Sequence, residues 1–158
     1  MYKNILVPTD GSELSAKALE QALSLAKSVG ANITVLHVMP PLSELPMSEV
    51  GEKYDALVDA GYILPASLNQ KIQEAVATRS RAMLDNLCTR AAAAGVKCDG
   101  VVATGSSPHE AILRLARESK CDLIMMASHG RKGLQAIVLG SETNKVLVHS
   151  GIPVLVVR

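Results

Sequence analysis

The sequence predicts an α/β protein in which a five-stranded parallel sheet carries helices on both faces. Short apolar runs alternate along the chain with longer segments of helical periodicity. The short runs are almost continuously apolar, as in strands that are buried on both faces. The apolar residues, 48% of the chain, include neither Phe nor Trp, and such an aliphatic core suits helices packed on a parallel sheet.

The amino-terminal part predicts two strands and one helix. Residues 4–7 are an apolar run, the first strand, which ends at Pro8-Thr9-Asp10-Gly11. Apolar side chains then recur at helical spacing over residues 12–29, so this segment predicts the first helix. Residues 31–39 form the second apolar run and predict the second strand, which ends before two consecutive prolines.

The middle of the chain predicts an irregular connection, a long helix and a third strand. Prolines and glycines interrupt residues 40–66, where only a short helix around residues 48–60 is expected. This connection can be a lid, a contact for a partner or a solvated connector. Helical periodicity returns over residues 67–94, and residues 96–103 predict the third strand.

The carboxyl-terminal part predicts two further helices and two strands. Ser107-Pro108 followed by Glu110 carries the signals of a helix start, with Ser107 as the N-cap, and this helix is expected to run to about residue 119. Residues 122–126 predict the fourth strand. After a stretch that contains glycines, a helix is expected over Ser141–His149 and the fifth strand over Val154–Val157.

This alternation predicts one domain over residues 1–158 with the strand order 3-2-1-4-5. Right-handed crossovers leave few layouts, and the commonest one places the first strand centrally. Ligands bind such sheets outside the carboxyl ends of the strands, where the strand order reverses. That point lies between the end of strand one, Pro8-Thr9-Asp10, and the end of strand four, Ala127-Ser128-His129-Gly130.

Charge and composition exclude several classes of function. The formal net charge of +1 provides no basic surface for nucleic acid, so no nucleic-acid partner is expected. No run is apolar enough for a membrane span. The chain enters a strand directly after Met1 to Asn4, so no signal peptide and a cytoplasmic location are expected.

The three cysteines are expected to be reduced and mostly buried. Cys88, Cys98 and Cys121 are odd in number and have no CxxC spacing. No neighbouring residue suggests an activated thiolate. Reduced thiols are the rule in the cytosol, and no redox role is expected.

The segment after strand four has the composition of a phosphate cradle. Nine residues separate Gly130 from Gly140-Ser141, which opens the last helix. Glycines let the backbone approach an anion, and the N–H groups of Ser141, Glu142 and Thr143 at the helix start can donate to it. The Ser141 hydroxyl can bind phosphate or cap the helix. An ordinary loop and cap is the alternative.

Four separated motifs resemble the nucleotide-binding universal stress proteins. Ala127-Ser128-His129-Gly130, nine residues and Gly140-Ser141 resemble their pattern of Gly, two residues, Gly, nine residues, Gly and Ser or Thr. Val7 to Glu13, His37-Val38 and Ser150 to Val157 also look like that family, and only residues 40–66 lack a match. The resemblance implies a Rossmann-like fold of the adenine nucleotide alpha hydrolase type.

The resemblance also implies a function in stress response and a set of binding residues. Asp10 and the Val38 backbone would hold the nucleoside of ATP, AMP or ADP, and Gly130, Gly140 and Ser141 the phosphates. It further implies a homodimer through the last strand. Together with the strand ends, it gives these candidate nucleotide-binding residues: Pro8, Thr9, Asp10, Val38, Met126, Ala127, His129, Gly130, Arg131, Gly140, Ser141, Glu142 and Thr143.

Two residues depart from the expected site. Ala127 stands where the family has its first glycine, and its methyl group is tolerated only if the backbone need not touch the ribose. The Glu142 carboxylate is expected to repel a triphosphate unless Mg²⁺ or Arg131 offsets it. AMP or ADP is therefore expected to bind nearly as well as ATP, and the loss of nucleotide binding altogether, leaving an interaction module, is the alternative.

The remaining polar residues predict no strong catalysis. No Walker P-loop, G-x-S-x-G motif or metal-ligand pattern is found, so at most weak ATP hydrolysis or phosphotransfer is expected. Asp10 lacks the acidic neighbour of a phosphoacceptor. His37 is expected to be a satisfied core histidine, His109 to be solvated and His149 to suit a helix end, whereas His129 lies in the predicted cradle.

The last strand predicts the dimer on physical grounds as well. In the order 3-2-1-4-5 it lies at an edge of the sheet, yet Val154–Val157 is apolar. An unpaired apolar edge is an aggregation hazard. Antiparallel pairing with a second copy about a two-fold axis would remove it.

Overall fold

A computed structural model describes residues 1–45, 66–130 and 139–158. Its five strands are β1 (Asn4–Pro8), β2 (Asn32–Met39), β3 (Cys98–Thr104), β4 (Leu123–Ala127) and β5 (Val154–Val157). Its α-helices are α1 (Glu13–Val29), α2 (Ala66–Ala93), α3 (Pro108–Glu118) and α4 (Ser141–His149), and one 3₁₀ turn covers Leu42–Glu44. The short helix expected around residues 48–60 falls outside the described residues.

The five strands form one parallel sheet in the order β3-β2-β1-β4-β5, as the sequence predicts. β1 is central, with Asn4 to Pro8 opposite Asn32 to Leu36 of β2 on one side. On its other side β1 pairs with β4, where Ile5 lies opposite Leu123. The strand order therefore reverses between β1 and β4, and the carboxyl ends of these two strands are neighbours.

Each face of the sheet has its own aliphatic core. Ile5 and Val7 of β1 pack on one face with buried residues of α1 and α2, such as Ala22 and Leu84. Leu6 points to the other face, where it packs with residues of α3 and α4, among them Ile112 and Val146. Alternation along one strand thus feeds both layers, as expected for a sheet that is covered on both faces.

The starts of α1, α3 and α4 are capped in different ways. The Ser12 side chain caps α1 by accepting a hydrogen bond from the Ser15 N–H at 3.2 Å. Ser107 occupies the N-cap position of α3, but its side chain makes no capping hydrogen bond. At α4 the N-cap is Gly140, and Ser141 is the first helical residue, so Ser141 does not cap this helix as an N-cap side chain.

The expectation of three reduced cysteines is wrong for two of them. Cys88 of α2 and Cys98 of β3 form a disulfide, with their Cα atoms 5.1 Å apart. Cys121 remains a free and buried thiol. The absence of a CxxC motif does not exclude a disulfide, because two cysteines on adjacent elements can be bonded at any sequence spacing that the fold brings together.

No helix in the described part of the chain is both long and apolar enough to cross a bilayer.

Candidate functional site

A cavity of about 620 Å³ lies at the carboxyl ends of the central strands, where the strand order reverses. Every described residue among the predicted binding residues lines it; Arg131 falls outside the described residues. The lining combines aliphatic groups from β2 and β4 with polar groups from the loop after β1 and the start of α4. This mixture of an apolar wall and a few polar groups is typical of small-molecule sites.

The loop after β1 is held rigidly beneath the cavity. The Thr9 N–H donates to the Leu36 carbonyl at 2.8 Å, and the buried Thr9 hydroxyl lies 3.0 Å from the Ser15 hydroxyl. Asp10 Oδ1 accepts a hydrogen bond from the Ser12 N–H at 3.0 Å. Gly11 between them has φ of 75°, a conformation that glycine adopts without strain. The Asp10 carboxylate is therefore fixed by its own turn.

Gly130, which follows β4, lies next to the side chain of Asp10, which follows β1. A Cβ atom at Gly130 would lie 2.6 Å from Asp10 Oδ2, closer than such atoms approach in proteins. Gly130 is not among the described glycines with positive φ, so the close approach of the Asp10 side chain, rather than backbone conformation, favours a glycine here. The two strand ends that the sequence predicts to be neighbours are in contact.

The family resemblance implies that Gly140 helps to bind the phosphates, but its N–H group is used within the protein. Its N–H donates to the Ser128 carbonyl at 2.7 Å and is not available to an anion. A Cβ atom at this position would lie 3.2 Å from both the Ser128 oxygen and His129 Cα. The backbone N–H groups of Ser141, Glu142 and Thr143 lack an acceptor four residues earlier within α4, so they are the donors that face outward from the helix start.

Thr143 joins α4 to the end of β4 inside the protein. Its hydroxyl donates to the Ala127 carbonyl at 3.0 Å, and the side chain is 3% exposed. The Ala127 side chain is itself buried and packs in the core cluster on the α1 and α2 face. The methyl group that departs from the family pattern is thus accommodated as a core group at a strand end.

The Glu142 carboxylate is bound by a histidine and a lysine. Its Oε2 accepts a hydrogen bond from the His109 N–H at 2.8 Å and lies 3.0 Å from His109 Nδ1. Its Oε1 accepts from Lys145 Nζ at 2.8 Å. Burial raises the pKa of Glu142, but the hydrogen bonds from Lys145 and His109 outweigh it, and the net pKa lies below the ordinary value.

This contact corrects two expectations. His109 is not solvated, since its side chain is 16% exposed and is engaged with Glu142. The carboxylate that accepts from the His109 N–H in the first turn of α3 is that of Glu142, which comes from a different helix, although Glu110 also lies in this turn. Glu142 therefore joins the amino-terminal ends of α3 and α4 at the cavity wall.

Several residues of the cavity were not predicted. His37, Gly105, Ser106 and Pro108 line it as well. The rule that sites form at the carboxyl ends of strands could have found Gly105 and Ser106, which directly follow β3. His37 is satisfied within the protein, as expected, because its Nδ1 lies 2.8 Å from the Thr9 carbonyl oxygen. Its position next to Val38, near the carboxyl end of β2, could have marked it as a lining residue.

Within residues 1–45, 66–130 and 139–158, no three His, Cys, Asp or Glu side chains are grouped so that they could hold a metal ion.

Comparison with known proteins places this chain in a family. A model of the universal stress protein family matches residues 1–158. Universal stress protein YxiE of Bacillus subtilis is 35% identical over 158 residues, which cover the whole of both chains. Universal stress protein MJ0577 of Methanocaldococcus jannaschii is 30% identical, and the alignment covers all of this chain and 96% of that protein.

Solved structures agree with these relationships. The MJ0577 structure has a TM-score of 0.77, covering 99% of this chain and 96% of that one. A universal stress protein solved in complex with cAMP has 28% identity and a TM-score of 0.64, covering 99% and 97% of the two chains. The parallel sheet, the motif positions and these similarities agree over the full length. The chain belongs to the universal stress protein family.

Proposed function

We propose that the protein binds an adenine nucleotide in the 620 Å³ cavity and acts as a cytoplasmic, dimeric regulatory module in the stress response. One observation carries the proposal: the Asp10 carboxylate and the Gly130 backbone meet beside the start of α4 within a single cavity. A carboxylate that accepts from hydroxyl groups and a helix start that donates to an anion suit the two polar parts of a nucleotide. The relative solved with cAMP supports this ligand class.

The three parts of the nucleotide have separate complements in the cavity. The ribose hydroxyls would donate to Asp10, and the N–H groups of Ser141, Glu142 and Thr143 would donate to phosphate. The base would lie against the aliphatic wall that includes Val38, Met126 and Ile112, since none of the described lining residues is a Phe, Tyr or Trp. The cavity volume is within the range of sites for ligands of this size.

The ion pairs of Glu142 set the expected preference among nucleotides. Lys145 forms an ion pair with its carboxylate and offsets part of its charge, and the His109 N–H also donates to it, which reduces the repulsion toward a first phosphate. Its remaining negative charge would still oppose the extra charge of a triphosphate unless Mg²⁺ accompanies ATP. AMP and ADP would therefore bind nearly as tightly as metal-free ATP.

Two measurements test nucleotide binding. Protein purified from cells is denatured, and the supernatant is analysed by absorbance and mass spectrometry for adenine nucleotides. Calorimetry then compares AMP, ADP and ATP with and without Mg²⁺. The variant Asp10→Asn, which removes one acceptor from the cavity, is expected to weaken all three by at least roughly tenfold, the factor that corresponds to about 1.4 kcal/mol.

Asp85→Asn is the matched control, because Asp85 is an exposed carboxylate on α2. This control should leave the affinities unchanged. Equal affinities for wild type and Asp10→Asn would contradict the role given to Asp10. The failure of all three nucleotides to bind the emptied wild-type protein would contradict the proposed function.

The exposed apolar edge supports the dimer. Leu155 of β5 is 39% exposed, and Leu147 and Val148 of the adjacent α4 are also exposed. β5 is the last strand of the sheet, so one of its edges has no partner strand within the described chain. Antiparallel pairing of β5 with a second copy would cover these side chains. A dimer in light scattering at micromolar concentration is expected for wild type, and Leu155→Lys should shift it toward monomer.

A further inference from the structure

We propose that Cys88 and Cys98 are a reversible redox pair, which on oxidation fastens helix α2 to strand β3. The two residues are bonded, and their Cα atoms are 5.1 Å apart, within the range of disulfides. β3 is the other outermost strand of the sheet, far in the strand order from β5. The bond therefore joins a helix to a strand that has only one neighbour among the described strands.

The local packing brings the two sulfur atoms together. Gly100, two residues after Cys98, faces α2, and a Cβ atom there would lie 2.9 Å from Leu84 Cβ and 3.7 Å from Cys88 Sγ. The absent side chain lets the helix approach the strand closely. Cys88 follows Leu84 by one helical turn, so the same approach sets it beside the start of β3.

The connection between the two elements does not need the bond. Ala91 and Val96, on the two sides of the turn, are buried. The Val96 N–H donates to the Ala91 carbonyl at 3.0 Å, and Gly95 adopts φ of 79°. Reduction would leave these contacts in place, and the loop that the bond closes spans a sequence separation of only 10 residues. The pair can therefore open without unfolding the domain.

Exposure separates this pair from the third cysteine. Cys88 and Cys98 are half-buried, so a small thiol can reach them. Cys121 is 6% exposed, and burial raises the pKa of its thiol, which keeps it protonated and unreactive. Cys121 is therefore expected to stay reduced when Cys88 and Cys98 are oxidised.

The chemistry is thiol–disulfide exchange with a low-molecular-weight disulfide such as oxidised glutathione. One thiolate attacks the glutathione disulfide, forms a mixed disulfide and releases one glutathione. The second cysteine attacks the protein sulfur of the mixed disulfide and releases the other glutathione. In sum, two protein thiols are oxidised to one disulfide, and one oxidised glutathione is reduced to two glutathione molecules.

The test is a redox titration of the full chain. The protein is equilibrated in glutathione buffers of varying ratio, quenched, denatured and alkylated with a maleimide, and the labels are counted by mass spectrometry. We expect three labels per chain, one for each cysteine in the sequence, in reducing buffer and one label, on Cys121, in oxidising buffer. The change should reverse in both directions. Cys121→Ser is the control and should titrate at the same ratio.

Thermal unfolding tests whether the disulfide stabilises the attachment of α2 to β3. Oxidised wild type should unfold at a temperature higher than the reduced form by roughly 5 to 10 °C, whereas Cys98→Ser should unfold at one temperature in both buffers. Three labels under all oxidising conditions would overturn the pair. One label that persists in millimolar reduced glutathione would overturn its reversibility, and equal unfolding temperatures of the two wild-type forms would overturn the fastening of α2 to β3.

Discussion

The two carboxylates of the cavity are held in different ways. Asp10 is fixed by its own turn, two residues from the N–H group that it accepts from. Glu142 is bound to His109, which is 33 residues away on a different helix. The hydrogen bond from Ser12 to Asp10 is local and follows from the motif, whereas the contact of Glu142 with His109 depends on how α3 and α4 pack. Substitutions next to Asp10 should therefore affect the nucleotide affinity most. Substitutions around Glu142 and the start of α4 should affect the free energy of unfolding most.

The largest expected effect is on the Asp10 side. Gly130→Ala places a methyl group 2.6 Å from Asp10 Oδ2, and the carboxylate, held through its other oxygen by Ser12, must turn away. We expect the nucleotide affinity to fall by at least roughly 30-fold, about 2 kcal/mol, while the protein stays folded. Calorimetry measures the affinity, and circular dichroism the fold.

Gly151→Ala is the matched control, because a Cβ atom at Gly151 meets nothing within 4 Å. Its affinity should equal that of wild type. An affinity of Gly130→Ala within twofold of wild type would mean that Asp10 can move without loss of nucleotide binding. Nucleotide affinity would then be no more sensitive to changes at Asp10 than to changes at Glu142.

The next effect is on the stability of the Glu142 side. Thr143→Val keeps the shape of the buried side chain but leaves the Ala127 carbonyl without its hydroxyl donor. We expect the free energy of unfolding to fall by about 1 to 3 kcal/mol, the usual range for an unsatisfied buried group. Urea denaturation measures it. Thr78→Val, which removes an exposed hydroxyl bond within α2, is the control and should cost less than about 0.5 kcal/mol.

The sheet and the proximity of Asp10 to Gly130 could be predicted almost completely from the sequence. The apolar runs specify the strands, the crossover rule specifies their order, and neighbouring strand ends then bring Asp10 and Gly130 together. Strand bounds were less accurate: β3 starts at Cys98 instead of residue 96, because Val96 is tied by its N–H to the end of α2 before pairing begins.

The Glu142 side and the disulfide could not be predicted in the same way. Ser107 and Glu110 have the spacing of a local cap, yet Glu142 caps the α3 start. Which carboxylate is nearer depends on the packing of two helices, and no spacing rule encodes it. The Cys88–Cys98 bond likewise depends on the close approach at Gly100. Non-local contacts of polar groups are thus the part of this site that only coordinates reveal.

Removing the charge of Glu142 should change the selectivity between ATP and AMP. In Glu142→Gln the His109 N–H keeps an acceptor, but the ion pair with Lys145 is lost and the cavity loses a negative charge. We expect metal-free ATP to bind roughly 3 to 10 times more tightly relative to AMP. Calorimetry of both nucleotides gives this ratio. Glu110→Gln, an exposed carboxylate in the first turn of α3, should leave the ratio unchanged.

The smallest expected effect is the dependence of stability on pH at Glu142. Because its pKa is lowered in the folded protein, the ionised carboxylate contributes stability above the ordinary glutamate pKa of about 4.3. This contribution is lost as the pH falls through the lowered value, where the folded state must also take up the proton. The side chain is 34% exposed, so solvent screening limits the contribution to less than about 1 kcal/mol. Urea denaturation of wild type and Glu142→Gln should therefore give a stability difference at pH 6 that shrinks as the pH is lowered below the ordinary glutamate pKa of about 4.3. A difference that does not shrink as the pH is lowered would mean that the shape of the side chain, and not its charge, joins α3 to α4.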